Sequence, residues 1–151
     1  MNNQTTEQIA FSEATANDAI EVYEFLQPFV QTQQLLARSI EEILHLTKHA
    51  FLARCGGRLV GFAAVEVYSR KLAEIQCLAV SPDYQRMGIG RGLVVRCVAR
   101  AKALNVLELM AISASDEFLK RCGFDYSLPS QKRALFVQPV FVPDETLREA
   151  L

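Results

Sequence analysis

The segment VSPDYQRMGIGRG, residues 80–92, joins the end of an apolar strand to the start of a long helix. Gly88, Gly90 and Gly92 lie at this junction, where glycine lets the backbone adopt positive φ and approach a ligand closely. The first amides of a helix have no partner within the helix and carry the positive end of its dipole. The junction therefore favours binding of a phosphate or pyrophosphate, although glycines at a helix start also occur for structural reasons alone. The glycine spacing fits neither the P-loop motif nor the dinucleotide-binding motif.

Helices and strands follow one another on both sides of this junction. Capping patterns open one helix after Thr15 and another after Ser39, and Pro28 predicts the end of the first. Apolar residues at helical spacing place Leu44 on the buried side of the second helix and Val98 on that of the long helix. We expect strands over residues 9–13, 51–55, 59–68, 74–80, 106–112 and 134–142, with a further one at Phe124. We expect helices over residues 15–28, 90–104 and 116–121, and one more that begins at residue 39. Helices that pack against a mostly antiparallel sheet define an α+β fold.

The composition is that of one globular domain. The chain has 151 residues, of which 50% are hydrophobic and 22% are charged, and its formal net charge is −1. This balance disfavours a nucleic-acid or membrane-surface partner, and no apolar run reaches the roughly 18 residues of a membrane helix. The four cysteines form no C-x-x-C pair, which predicts reduced thiols and a cytoplasmic protein. His45 and His49 stand four apart without a third ligand, so we expect no metal.

The stretch LAVSPDYQ, residues 78–85, continues into Gln85-x-x-Gly88-x-Gly90, and FLKRCGF, residues 118–124, follows the long helix. These two motifs resemble those of the GNAT superfamily of acetyltransferases. The resemblance implies a mixed, mostly antiparallel seven-stranded sheet flanked by about four helices over residues 9–142. Residues 1–8 would then be a flexible N-terminus and residues 143–151 a C-terminal tail. It also implies acetyl-CoA as the acetyl donor and an amine as the acceptor.

The same resemblance implies a set of donor-binding residues. The pantetheine arm would pair with the backbone of Leu78 and Val80, where a backbone amide would also stabilise the oxyanion. Many members carry a tyrosine as general acid directly after the position of Phe118, and this chain has Leu119 there. The residues implied in donor binding are Leu78, Val80, Gln85, Arg86, Met87, Gly88, Ile89, Gly90, Arg91, Gly92 and Phe118.

Two further stretches, LLARS at residues 35–39 and AEIQCLAV at residues 73–80, carry a closer resemblance. They resemble the acetyltransferase domain of the N-acetylglutamate synthase group, which also lacks that tyrosine. This resemblance implies Glu74 as general base and Ser113 as general acid. The residues implied in acceptor binding are Leu36 and Arg38, with Lys132 or Arg133 for a second carboxylate.

Each of these roles has a structural alternative. Glu74 could be a solvent-facing strand residue, Arg38 could only flank the second helix, and Ser113 could cap the short helix that starts at Asp116. The leading hypothesis is an N-acetyltransferase acting on the α-amine of an amino acid such as L-glutamate. The alternatives are another small amine, a protein N-terminus, or a non-catalytic acyl-CoA-binding module. A homodimer formed through the apolar strand over residues 135–142 is a further expectation.

Overall fold

The computed structural model describes residues 7–113, 116–128 and 135–136. Three short 3-10 turns, 16–18, 47–49 and 82–84, lie between the longer elements. The strands and helices in chain order are β1 (Ile9–Glu13), α1 (Ala19–Gln31), α2 (Ile40–Leu46), β2 (Ala50–Cys55), β3 (Arg58–Val67), β4 (Leu72–Val80), α3 (Ile89–Ala103), β5 (Glu108–Met110) and α4 (Asp116–Arg121).

One sheet with the order β1-β2-β3-β4-β5 separates two helical layers. The first four strands pair antiparallel, and β5 pairs parallel to β4 after the crossover through α3. One core cluster packs α1 and α2 against the sheet through Val22, Leu26, Ile43 and Phe62. The other packs α3 against the opposite face through Val60, Val65, Leu93 and Cys97. The α+β class is thereby confirmed.

The expected seven strands are not confirmed, since the described part of the sheet has five. Phe124 is not in a strand as predicted. Its amide instead donates to the Leu119 carbonyl at 3.0 Å, so it completes the C-terminal turn of α4. Of the strand expected over residues 134–142, only Leu135 and Phe136 are described, and they are not in a strand, while the rest lies outside the described residues.

Both predicted helix starts are confirmed. At α2 the Ser39 hydroxyl accepts from the Glu42 amide at 3.1 Å, and the Glu42 carboxylate accepts from the Ser39 amide at 2.7 Å. The predicted end of α1 at Pro28 is wrong, because the helix continues to Gln31. A proline removes one helical amide, but Phe29 is buried in the core and holds the last turn in place.

The burial predicted for Leu44 and Val98 is also wrong, because they are 44% and 42% exposed. Both lie at the edge of an apolar stripe whose centre already fills the space under the helix. The described residues include no helix that is long and apolar enough to cross a membrane.

Glycines let α3 lie close to the sheet. A Cβ on Gly61 of β3 would come within 2.8 Å of the Ile89 side chain, so glycine there seats the first residue of α3. A Cβ on Gly92 would overlap the ring of Phe11 in β1. Gly92 is therefore a packing residue, which the glycine pattern alone did not indicate.

Replacing Gly92→Ala should lower the free energy of unfolding by about 1–3 kcal/mol, because the new methyl overlaps the Phe11 ring. In a Phe11→Leu background, which lacks the overlapping ring atoms, the same change should stabilise the protein by about 0.5–1 kcal/mol, the usual gain of alanine over glycine in a helix. Urea denaturation of the four proteins measures both values. An equal loss in the two backgrounds would contradict the packing role.

Candidate active site

The parallel pairing of β4 with β5 covers only the first third of β4. The last paired residues are Glu74 and Met110, whereas pairing with β3 continues to Val80. Within the described residues, the β4 backbone from Ile75 to Val80 therefore has no strand partner on the β5 side. This open edge can take an extended ligand by strand-like hydrogen bonds.

The glycine-containing loop lies at the far end of that edge. Gly88 has φ of 79° and caps α3, and Arg86 also has a positive φ of 64°. A Cβ on Gly90 would lie 3.8 Å from the Val80 side chain and 3.3 Å from the Phe118 ring, so strand end, loop and α4 meet here. In the described part of the chain, the amides of residues 87–91 have no hydrogen-bond acceptor. They form a cluster of donors at the positive end of a 15-residue helix.

Three residues of the predicted donor site have other contacts. The Gly92 amide already donates to the Gly88 carbonyl at 3.0 Å. The Arg91 guanidinium donates to the Arg121 carbonyl at 3.1 Å and so holds the end of α4. Ile89 is buried, so only its backbone faces the loop.

The remaining donor-site residues line the loop or the strand end. The Gln85 side chain donates to the Val80 carbonyl at 3.3 Å and closes the turn between β4 and α3. Met87 and Arg86 are exposed at the loop, and Leu78 is half-buried on the α3 side of the sheet.

A bulge in β4 positions the polar side chains of the site, which lie on the face of the sheet that packs against α1 and α2. Ala79 pairs with Phe62 and Gln76 with Ala64, so β4 has one extra residue in this interval. Cys77 lies in it with φ of 56°. Because a bulge breaks the alternation of side chains, Gln76 and Cys77 are not forced to opposite faces of the sheet. Cys77 belongs to the core under α1 and α2, and Gln76 contacts Arg38, which lies two residues before α2.

Four side chains on this face form a continuous chain of hydrogen bonds. Arg38 donates to the Gln76 carbonyl oxygen at 2.8 Å, and the Gln76 amide nitrogen is 3.0 Å from the Tyr68 hydroxyl. The Tyr68 hydroxyl is 2.5 Å from a carboxylate oxygen of Glu74. The expected carboxylate anchor and the expected base are thus joined by two residues whose roles the sequence did not predict. The pattern that could have indicated them is Glu66-x-Tyr68 beside Glu74-x-Gln76. Glu66 pairs with Glu74, and Tyr68 directly follows the last residue of β3.

A cavity of about 260 Å³ opens beside this chain. Arg38 lies at its wall and makes a 3.8 Å ion pair with Glu42. The Arg38 Nε is buried and has no hydrogen-bond partner in the part of the chain that the structure describes. The other residues that line the cavity are Ser39, Glu41, Glu42, His45, Leu46 and Glu66.

Burial controls the ionisation of the tyrosine and the cysteine in this region. It raises the pKa of Tyr68 to about 12, and the hydrogen bond to Glu74 acts in the same direction. It also raises the pKa of the Cys77 thiol, although the Arg38 guanidinium opposes this. At neutral pH both groups therefore keep their protons, and Cys77 has the properties of a packing residue rather than of a nucleophile.

The other predicted acceptor-site residues are less defined. Leu36 is 77% exposed at a shallow groove that also borders Arg38. Ser113 is exposed and lies three residues beyond the end of β5. Leu119 is buried, and Lys132 and Arg133 lie outside the described residues.

The Asp116 carboxylate accepts from the Tyr126 hydroxyl, which lowers the pKa of Asp116.

Comparison with known proteins agrees with this geometry. The model of the acetyltransferase (GNAT) family matches residues 13–124, which is most of the chain and includes β4, the loop and α3. The chain belongs to the GNAT family. The described residues of this GNAT domain include no group of three or more His, Cys, Asp or Glu side chains that could hold a metal ion.

Three relatives illustrate the similarity. An uncharacterized N-acetyltransferase of Chlorobaculum tepidum is 36% identical over 90 residues, which are 60% of this chain and 58% of that protein. An amino-acid acetyltransferase of Aeromonas salmonicida is 27% identical over 130 residues, 82% of this chain and 29% of that protein. The structure of N-acetylglutamate synthase from Neisseria gonorrhoeae, complexed with coenzyme A and N-acetyl-glutamate, gives a TM-score of 0.71 at 23% identity, over 95% of this chain and 32% of that one. This GNAT chain therefore spans little more than half of the first protein and about a third of the other two.

Alkylation tests the state of Cys77. In the native protein we expect iodoacetamide to label the half-buried Cys122 well before Cys77, because the Cys77 thiol is buried and protonated. Mass spectrometry of tryptic peptides at pH 7.5 and again in denaturant measures the order. Labelling of native Cys77 ahead of Cys122 would contradict the packing role.

Proposed function

We propose that this chain transfers the acetyl group of acetyl-CoA directly to the α-amine of an amino acid, with L-glutamate as the first candidate. The observation that carries the proposal is the arrangement along β4. The unpaired edge leads from Glu74 to the amide cluster after Val80, and Arg38 is bound to Gln76 on the same strand. A donor that lies along this edge would bring its thioester beside a carboxylate that can act as a base.

The donor half fits coenzyme A in charge and shape. The amides of residues 87–91 offer several parallel donors to a pyrophosphate at the start of α3. The open β4 edge at Leu78 and Val80 offers backbone groups to the amides of a pantetheine arm. A backbone amide of this edge would also stabilise the oxyanion of the tetrahedral intermediate.

The acceptor half fits an amino acid. Arg38 lies at the cavity wall, and its buried Nε has no hydrogen-bond partner among the described residues. A carboxylate is the group that a guanidinium binds best. With the carboxylate held there, the α-ammonium would lie on the side of Arg38 from which the hydrogen-bond chain leads to Glu74. For an acceptor with a second carboxylate, Lys132 or Arg133 is the proposed partner.

The reaction then needs two proton movements. Glu74, directly or through one water, takes a proton from the ammonium and so frees the nitrogen lone pair. The nitrogen attacks the thioester carbon, a C–N bond forms, and collapse of the intermediate breaks the C–S bond. The nitrogen then loses its second proton to give the neutral amide. Coenzyme A leaves as the thiolate, with this proton released to solvent, or takes a proton from Ser113, which the proton from the nitrogen replaces, because Leu119 has none to give.

A second candidate acceptor is a basic amine such as a polyamine. It is favoured by the carboxylates of Glu41, Glu42 and Glu66 around the cavity, which would attract a second ammonium group. Thiol release from acetyl-CoA, measured over the twenty amino acids and spermidine, separates the two acceptors. If none of the amines in the panel causes thiol release, the proposed function is contradicted.

Replacing Arg38→Ala should raise the KM for the amino acid about 10- to 100-fold, the effect of losing a charge-assisted hydrogen bond, and leave the KM for acetyl-CoA unchanged. Steady-state kinetics with each substrate varied in turn measure the two constants. The matched control is Arg54→Ala, which removes an arginine paired with Glu21 on α1. Equal effects of Arg38→Ala on both KM values would contradict the anchoring role.

A further inference from the structure

We propose that Tyr68 and Gln76 are positioning residues that orient Glu74 as the base and couple it to the carboxylate anchor Arg38. This inference rests on the proposed function. Gln76 belongs to the open β4 edge through its backbone, but its side chain hydrogen-bonds to Arg38 and Tyr68. In the described residues neither the Gln76 nor the Tyr68 side chain has a hydrogen bond to the loop, so these side chains act through Glu74 and Arg38 and not on the donor.

The direction of every hydrogen bond in the chain follows from Arg38. A guanidinium has only donors, so the Gln76 group that faces it, at 2.8 Å, must be the carbonyl oxygen. The Gln76 amide nitrogen must then point to Tyr68, whose oxygen accepts at 3.0 Å. The single hydroxyl proton of Tyr68 is thus left for a carboxylate. A protonated Tyr68 therefore satisfies both contacts only when its hydroxyl oxygen accepts from Gln76 and its proton is donated to a carboxylate.

Tyr68 has two carboxylates to choose from. Glu66 and Glu74 stand opposite each other on β3 and β4. The hydroxyl is 2.5 Å from Glu74 but 3.4 Å from Glu66, so the strong hydrogen bond goes to Glu74. The contact engages Oε2 of Glu74, and within the described residues Oε1 has no hydrogen-bond partner. Oε1 is therefore the oxygen available to the substrate ammonium.

The surrounding charges support a proton that stays on Tyr68. Burial disfavours a tyrosinate most strongly, and Glu74 and Glu66 add to its effect. At the other end of the hydrogen-bond chain, Arg38 forms an ion pair with Glu42. Cys77 is buried beside Arg38, and His45 lies at the cavity wall. Binding of a substrate carboxylate to Arg38 changes the charge at the first link of the chain. That change reaches Glu74 through Gln76 and Tyr68.

Tyr68→Phe tests the positioning role through the separation of kcat from KM. The variant keeps the ring but removes the hydroxyl that holds Oε2 of Glu74. We expect kcat to fall about 10-fold, because a hydrogen bond to the base is lost, while the KM for acetyl-CoA stays unchanged. Tyr23→Phe, which removes a hydroxyl from α1, is the control and should match the wild type. A wild-type kcat for Tyr68→Phe, or a rise in the KM for acetyl-CoA as large as the fall in kcat, would overturn the proposal.

A second measurement needs no acceptor and so separates this inference from the proposed function. With ¹³C-labelled tyrosine, NMR at about pH 11 should show Tyr68 still protonated, since an ordinary tyrosine with a pKa of about 10 is largely ionised there. In Glu74→Gln, the titration of Tyr68 should move toward that of an ordinary tyrosine. An unchanged Tyr68 titration would overturn the link even if the enzyme is active. A shifted titration in a protein that acetylates no amine would support the link and contradict only the proposed function.

Discussion

The extra residue in β4 is the constraint on which both halves of the site depend. A regular strand of this length would place Gln76 and Cys77 on opposite faces of the sheet. The bulge relaxes that alternation and leaves Cys77 with a positive φ, a conformation that costs about 1–2 kcal/mol for a residue other than glycine. The surrounding core supplies the stabilisation, since Cys77 is buried with Ala79 under α1 and α2. Gln76 is thereby held where Arg38 and Tyr68 can both reach it.

The short pairing with β5 completes the arrangement. If β5 had followed β4 to Val80, the backbone groups of the edge would be occupied by a neighbouring strand and closed to a ligand. Instead the parallel pairing ends at Glu74, and α3 starts close to the far end of the open edge because Gly61 and Gly92 allow close packing. The amide cluster and the carboxylate therefore lie at the two ends of one open strand edge. In the proposed function, the backbone and not flexible side chains would fix the separation between the donor phosphate and the acceptor amine.

Much of this fold could be predicted from the sequence because its signals are local. The capping residues Thr15 and Ser39 and the passage from strand to loop to helix after Val80 each depend on a few neighbouring residues. The helix end predicted at Pro28 was wrong because the burial of Phe29 in the core outweighs the loss of one helical hydrogen bond. The role of Gly92 could not be predicted either, since it depends on Phe11, which is distant in the chain.

The hydrogen-bond chain from Arg38 to Glu74 was beyond sequence reasoning for the same reason. The chain joins Arg38, two residues before α2, to the end of β3 and the first half of β4. Its order depends on the register of those strands and on the bulge. Glu74 and Arg38 could be singled out from a resemblance, but Tyr68 and Gln76 become partners only in three dimensions. The roles suggested for Ser113, Lys132 and Arg133 depend on segments outside the described residues or beside them, and they stay predictions.

The most direct test of the account is the turnover of Glu74→Gln, with acetyl-CoA binding measured on the same protein. The substitution keeps the size and the hydrogen-bonding oxygen but removes the base. We predict that kcat falls about 100- to 10,000-fold while calorimetry gives an unchanged Kd for acetyl-CoA. Glu21→Gln, on the surface of α1, should match the wild type in both. Wild-type turnover by Glu74→Gln would contradict the claim that β4 carries the base beside the bound donor.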